Sequence, residues 1–133
     1  MTEPTLRKTA AQLVAEANAQ ITSLTVDEAR ALLGTPGVLF VDIRDVRELQ
    51  RTGSVPGAYH APRGMLEFWV DATSPYYKER LGNAEQLVLF CQSSWRSALA
   101  TKALQDMGVT AVSHISGGFT AWQDAGSDIE NRD

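Results

Sequence analysis

The chain has 133 residues, of which 44% are hydrophobic and 21% charged, so it suits a single globular domain and excludes a disordered chain. The formal net charge of -4, with no compensating cluster of lysine and arginine, argues against nucleic acid as a partner. No apolar run approaches the ~20 residues of a membrane helix and Met1 to Lys8 lacks a secretory pattern, so no membrane contact and a cytoplasmic location are expected.

Behind Thr9, which has capping-box spacing with Gln12, the apolar residues Ala10, Leu13, Val14, Ala17 and Ile21 recur at helical intervals. The spacing predicts an amphipathic N-terminal helix that packs back on the domain or offers its stripe to a second copy as a homodimer surface. Thr25 with Glu28 marks another capped start, leading to a short helix that stops at Gly34. The continuously apolar Val38-Leu39-Phe40-Val41 reads as a strand covered on both faces, ending at Asp42. Asp45 with Glu48 predicts a helix start, the turn residues from Gly53 to Gly57 its end, and Ala58-Tyr59-His60 a brief strand.

A helical segment is expected from Met65 to Val70, after which Ser74-Pro75 breaks the pattern. Leu87-Val88-Leu89-Phe90 forms the second buried strand. Leu99, Ala100, Ala103, Leu104 and Met107 share one helical face before Gly108, and a strand over 111–115 and a helix from Gly118 to Ala125 follow. Alternating strands and helices define an α/β class with a mainly parallel sheet. Residues 1–20 are read as a helical extension, 21–128 as the domain and 129–133 as a tail, both termini frayed.

The one cysteine, Cys91, excludes an internal disulfide, and with only two histidines a structural zinc site is not expected. Taken alone, such a cysteine is a small buried hydrophobe. Cys91, however, stands at the carboxyl end of a buried strand, the edge at which open α/β sheets bind ligands. The segment Gln92-Ser93-Ser94-Trp95-Arg96 leads from it into a helix, and a turn of that length can aim backbone N–H groups at the sulfur, reinforced by the helix dipole. Such a setting favours thiolate over thiol, and the thiolate is the nucleophile. Arg96 adds a positive charge.

Four segments, in order, resemble the rhodanese family from Ile21 to Gly126. They are Val41-Asp42-Ile43-Arg44 with Glu48 and Gly53 to Ala58; Ala61-Pro62-Arg63-Gly64 with Glu67; Cys91 to Arg96 with Ser97; and Gly117-Gly118-Phe119-Thr120-Ala121-Trp122. The resemblance implies a three-layer domain with a central, mainly parallel five-stranded sheet flanked by helices. It implies a double displacement: Cys91 takes the outer sulfur of a donor such as thiosulfate as a persulfide and yields it to cyanide or a thiol, small or protein-borne. No metal or organic cofactor is implied. Gln92, Ser93, Ser94, Trp95 and Arg96 would form the substrate loop, and Arg44 and Arg63 would bind anions or make loop-shaping salt bridges with Glu48 or Glu67. Asp42 would pair with an arginine or cap a turn. Ser94 departs from the pattern, since many members carry Gly there; if that Gly has a positive φ, Ser bears strain.

Two other readings compete. Cysteine-dependent phosphatases and arsenate reductases also place a Cys-to-Arg loop after a strand, but theirs is one residue longer, and Phe90 replaces their usual preceding His. A sulfur carrier or binding module with little turnover shares the chemistry and differs in its partner. His60 and His114 have no spacing to Cys91 that argues catalysis, so both are assigned structural roles.

Overall fold

A computed structural model describes residues 5–132. In chain order the elements are α1 (Ala10–Asn18), β1 (Thr22–Leu24), α2 (Val26–Leu32), β2 (Val38–Asp42), α3 (Val46–Thr52), β3 (Tyr59–His60), α4 (Leu66–Val70), α5 (Glu79–Gly82), β4 (Gln86–Phe90), α6 (Trp95–Asp106), β5 (Val112–Ile115) and α7 (Gly118–Asp124). The five strands form one sheet in the order β1-β5-β4-β2-β3, with every pairing parallel. The class is therefore the expected α/β one. The fifth strand is β1, whose three residues are too few to show a period in the sequence.

Capping chemistry sets the helix starts as the spacing predicted. Thr9, Thr25 and Asp45 each close a full capping box, with Gln12, Glu28 and Glu48 returning the bond. Alternation along β2 and β4 then builds two cores. Leu39, Val41, Leu87, Leu89 and Cys91 join Ala100 and Leu104 of α6 on one face, while Phe40, Val88 and Phe90 meet Phe119 and Trp122 of α7 on the other. Burying each such phenylalanine contributes about 2 to 3 kcal/mol.

Of the two alternatives for the N-terminal stripe, packing back on the domain is the one seen: Val14 and Ala17 pack on Ala98 of α6, while Leu13 stays exposed. Two expectations need correction. Met107 lies half exposed beyond the end of α6 rather than on its buried face, because the helix starts at Trp95 and its inward arc carries Ser97, Ala98, Ala100, Thr101 and Leu104. The C-terminal residues before the last are docked rather than frayed. Glu130 makes an antiparallel bridge to Ser54, and Trp122 Nε1 donates to the Asp128 carbonyl at 2.7 Å. Gly53 allows this crossing, because a Cβ there would meet the Glu130 carbonyl at 2.7 Å.

In the sheet, Asp42 at the end of β2 pairs with Phe90 at the end of β4. The chain leaves β2 toward β3 on one side and crosses back to β4 on the other, so the turn after Phe90 opens at the topological switch point of the sheet.

Candidate active site

Cys91 is 1% exposed, and its sulfur lies inside the turn that joins β4 to α6. The Ser94 and Ser97 amides donate to Sγ at 3.2 and 3.3 Å, and the Ser97 hydroxyl lies 3.5 Å from it. These donors stand at the first turn of a 12-residue helix, whose N-terminal dipole adds to them. The predicted backbone nest is thus present around the sulfur.

Closing the turn so tightly places Ser94 at φ 124°, the one positive φ at a residue other than glycine among those described. The strain anticipated for serine at this position is real, on the order of 1 to 3 kcal/mol for such backbone. From behind, α7 grips the turn: Phe119 and Thr120 amides donate to the carbonyls of Cys91 and Gln92, at 2.8 and 3.0 Å. Gln92 returns a bond from its amide nitrogen to Thr120 Oγ1 at 3.0 Å. A Cβ on Gly118 would stand 2.5 Å from the Cys91 carbonyl, which explains the glycine there.

The three arginines separate by role. Arg44 is fully buried and every N–H of its guanidinium is spent: on the Asp42 carboxylate (3.0 and 2.8 Å), Thr52 Oγ1, the Gly53 carbonyl and Gln92 Oε1 (each 2.9 Å). It also lies 4.4 Å from the centre of the Phe119 ring. Ser54 completes the Asp42 carboxylate with a hydroxyl bond of 2.7 Å. Arg44 therefore binds no anion; it braces the cysteine loop through Gln92, with Asp42 rather than Glu48 as its carboxylate. Removing either member of such a buried pair costs about 3 to 5 kcal/mol.

Arg96 meets Glu48 of α3 with two bonds of 2.9 Å. That bond is the main reason the Glu48 carboxyl is held below its usual range. Arg63, in the 3-10 turn that precedes α4, pairs with Glu67 of that helix at 2.8 Å, the salt-bridge alternative. Trp95 is 53% exposed at the crest of the loop and Ser93 is exposed beside it. The loop residues Gln92 to Arg96 are thus brought together around Cys91, Asp42 and Arg44 support them from one side, and Arg63 is tied up in its own ion pair.

His114 was assigned a structural place, yet it is 2% exposed with its Nδ1 2.8 Å from Ser97 Oγ, the hydroxyl beside the cysteine sulfur. The signal available in sequence was a histidine inside the expected strand 111–115, since an imidazole buried in a sheet needs polar partners. Burial pushes this imidazole down from 6.5 to about 4.

The Cys91 thiol is thus seated in a backbone nest at the switch point of a parallel α/β sheet. The Rhodanese-like domain profile matches residues 25–125, and the chain belongs to that family. Thiosulfate sulfurtransferase GlpE of Tolumonas auensis is 27% identical over 104 residues, 78% of this chain and 90% of that protein. A solved structure from Rhodopseudomonas palustris, of a protein of unknown function named "possible tyrosine phosphatase", is 45% identical with a TM-score of 0.91, covering 98% of this chain and 100% of that one. The polysulfide-sulfur transferase homodimer of Wolinella succinogenes is 28% identical with a TM-score of 0.67, covering 90% and 85% of the two chains.

Two predictions follow from the strain and the buried imidazole. Ser94→Gly relieves the positive φ and should raise unfolding free energy by about 1 kcal/mol after the entropy cost of glycine, measured by urea titration. The unfolded chain protonates His114 below about 6.5 whereas the folded chain resists until about 4. The unfolded state therefore binds more protons in that window, so stability falls as pH drops through it, by on the order of 2 kcal/mol. In His114→Gln the same urea series should show a shallower fall between pH 7 and 4, with Glu48 contributing only at the acid end.

Proposed function

We propose that the chain transfers sulfane sulfur, holding it as a persulfide on Cys91. The observation that carries this reading is the sulfur itself, enclosed by the Ser94 and Ser97 amides at 3.2 and 3.3 Å with no side-chain charge in direct contact. Backbone dipoles stabilise an anionic sulfur wherever the negative charge sits, whether thiolate or persulfide. In the first displacement the Cys91 thiolate attacks the outer sulfur of the donor. A new S–S bond forms, and the donor's S–S bond breaks with its electron pair leaving on the departing group, sulfite when the donor is thiosulfate. An acceptor thiolate or cyanide then attacks the outer sulfur, and Cys91 departs as thiolate. Cys91 is the sulfur anion that attacks in the first step and departs in the second, so the turn serves each step equally.

Charge neutralisation bears on the donor. Arg44, Arg63 and Arg96 are each paired with a carboxylate, so the site meets a dianionic donor with dipoles rather than a free cation. An organic persulfide, whose sulfane sulfur carries a single charge, suits that site better than thiosulfate. The acceptor is a thiol on a small molecule or a protein, because the chain holds no second cysteine to resolve the persulfide. Trp95, exposed on the crest, is placed to touch it.

The name of the Rhodopseudomonas relative favours a second reading, hydrolysis of a phosphoester. Against it, the turn closes on a single sulfur atom, and Arg96 is engaged by both oxygens of Glu48 rather than free for phosphate.

Incubation with an organic persulfide, and more slowly with thiosulfate, should add the mass of one sulfur to the intact chain, removable by dithiothreitol and absent in Cys91→Ser. Loading without turnover to cyanide or a thiol marks a carrier. Failure to load with either donor, together with release of phosphate from an aryl phosphate, would establish the phosphatase reading instead.

A further inference from the structure

The sulfur of Cys91 is connected to the far edge of the sheet by an unbroken line of polar groups. Ser97 Oγ lies 3.5 Å from Sγ and 2.8 Å from His114 Nδ1, and His114 Nε2 lies 3.0 Å from Ser23 Oγ. Register explains the placement: His114 on β5 stands level with Leu89 on β4 and Ser23 on the edge strand β1. Ser23 is exposed, whereas Ser97 and His114 are buried. The line therefore begins at a nearly inaccessible thiol and ends at the exposed Ser23.

We propose that His114 is a positioning residue that sets the protonation of Cys91 through Ser97, relaying the thiol proton to Ser23 by exchanging its ring tautomer. This rests on the reading of Cys91 as the nucleophile. In the thiol state the S–H donates to Ser97 Oγ, the Ser97 hydroxyl to Nδ1, and Nε2–H to Ser23 Oγ. Ionisation moves each proton one bond along. The S–H bond breaks and leaves its pair on sulfur, while Ser97 gains that proton and passes its own to Nδ1. Nε2 gives its proton to Ser23, whose former hydroxyl proton goes to water. In the resulting state Nδ1–H donates to Ser97, whose hydroxyl donates to the thiolate, and the Ser23 hydroxyl donates to Nε2. One proton leaves, nothing is oxidised or reduced, and the ring is neutral at both ends.

Both ring partners are hydroxyls, which donate and accept alike, so either tautomer is satisfied. The low basicity that burial imposes keeps the ring uncharged near neutrality, as the exchange requires. The Ser97 hydroxyl also lies 3.1 Å from the Ser94 carbonyl. Without Nδ1–H to fill one of its lone pairs and fix its direction, it can turn to that carbonyl and leave the sulfur with two donors rather than three. The charged groups on the elements around Cys91 are Arg96 with Glu48 from α3 and Arg44 with Asp42 from β2, and each cation is already paired. His60 on β3, with Nε2 2.7 Å from the Arg44 carbonyl, is the other imidazole and supplies a control.

The test is nitrogen-15 NMR of the imidazoles in the intact wild-type chain, titrated while Cys91 ionisation is followed by iodoacetamide alkylation. Resonances are assigned with His114→Gln and His60→Gln. The expected result is a change of His114 from the Nε2–H to the Nδ1–H tautomer over the pH range in which Cys91 becomes alkylatable, with the His114 ring uncharged throughout that range and no exchange of one neutral tautomer for the other at His60. His114→Gln should slow alkylation about tenfold below the ionisation midpoint and leave it unchanged above, as loss of one hydrogen bond to a charged sulfur implies. Ser97→Thr should retain most of the rate and Ser97→Ala should not. One His114 tautomer throughout, or slowing by the same factor at all pH values, would overturn the relay. Because sulfur loading is measured separately by mass, a chain that loads sulfur while His114 stays in one tautomer loses the relay alone. A chain that never loads sulfur loses the functional reading whatever the imidazole does.

Discussion

Phe119 and Thr120 donate their amides to the carbonyls of Cys91 and Gln92, and this backbone-to-backbone contact holds the turn after β4 from behind. It forms only because Gly118 brings α7 closer than any Cβ would permit. With its carbonyls pulled toward α7, the turn directs the amides of Ser94 and Ser97 the other way, onto the sulfur. The strained φ of Ser94 accompanies that orientation. Strand end, turn and two helices thus act as one unit, and the chemistry of the sulfur follows from their closeness.

Charge plays a different part. Arg44 is buried because Asp42, Thr52, Gly53 and Gln92 together leave none of its donors unpaired. A buried ion pair adds little net stability compared with apolar packing, but it is costly to break and so keeps its partners in place. Through Gln92 it ties the end of β2 to the cysteine turn and, by the Thr120 bond, to α7. Arg96 and Glu48 make the analogous tie at the surface, where solvent weakens it. The cations that the resemblance suggested for substrate binding are largely occupied in shaping the loop, and the groups that touch the sulfur are two backbone amides and the Ser97 hydroxyl.

Most of the fold was legible from local chemistry. The capping boxes at Thr9, Thr25 and Asp45 and the apolar runs of β2 and β4 report interactions within a few residues. Cys91 and its loop were legible because strand, turn and helix are consecutive. What could not be read was whatever depended on distant pairing. β1 is a strand only because β5 lies beside it, and the C-terminal segment is ordered only because Gly53 leaves room for it. For Arg44 the choice between anion binding and a loop-shaping salt bridge stays open in the sequence, which does not reveal that Asp42 is its carboxylate or that Gln92, on another strand's loop, completes its bonds. His114 was passed over for the same reason, since its link to Cys91 runs through Ser97 across two elements.

In the proposed transfer, backbone amides, not a freed arginine, hold the sulfur. A crystal structure of the chain loaded with polysulfide tests this most directly. One additional sulfur should be bonded to Cys91 Sγ and lie within hydrogen-bond reach of amides of the turn, with Arg44 still on Asp42 and Arg96 still on Glu48. A loaded sulfur held by an arginine that has left its carboxylate, or a turn that has opened away from α7, would contradict it.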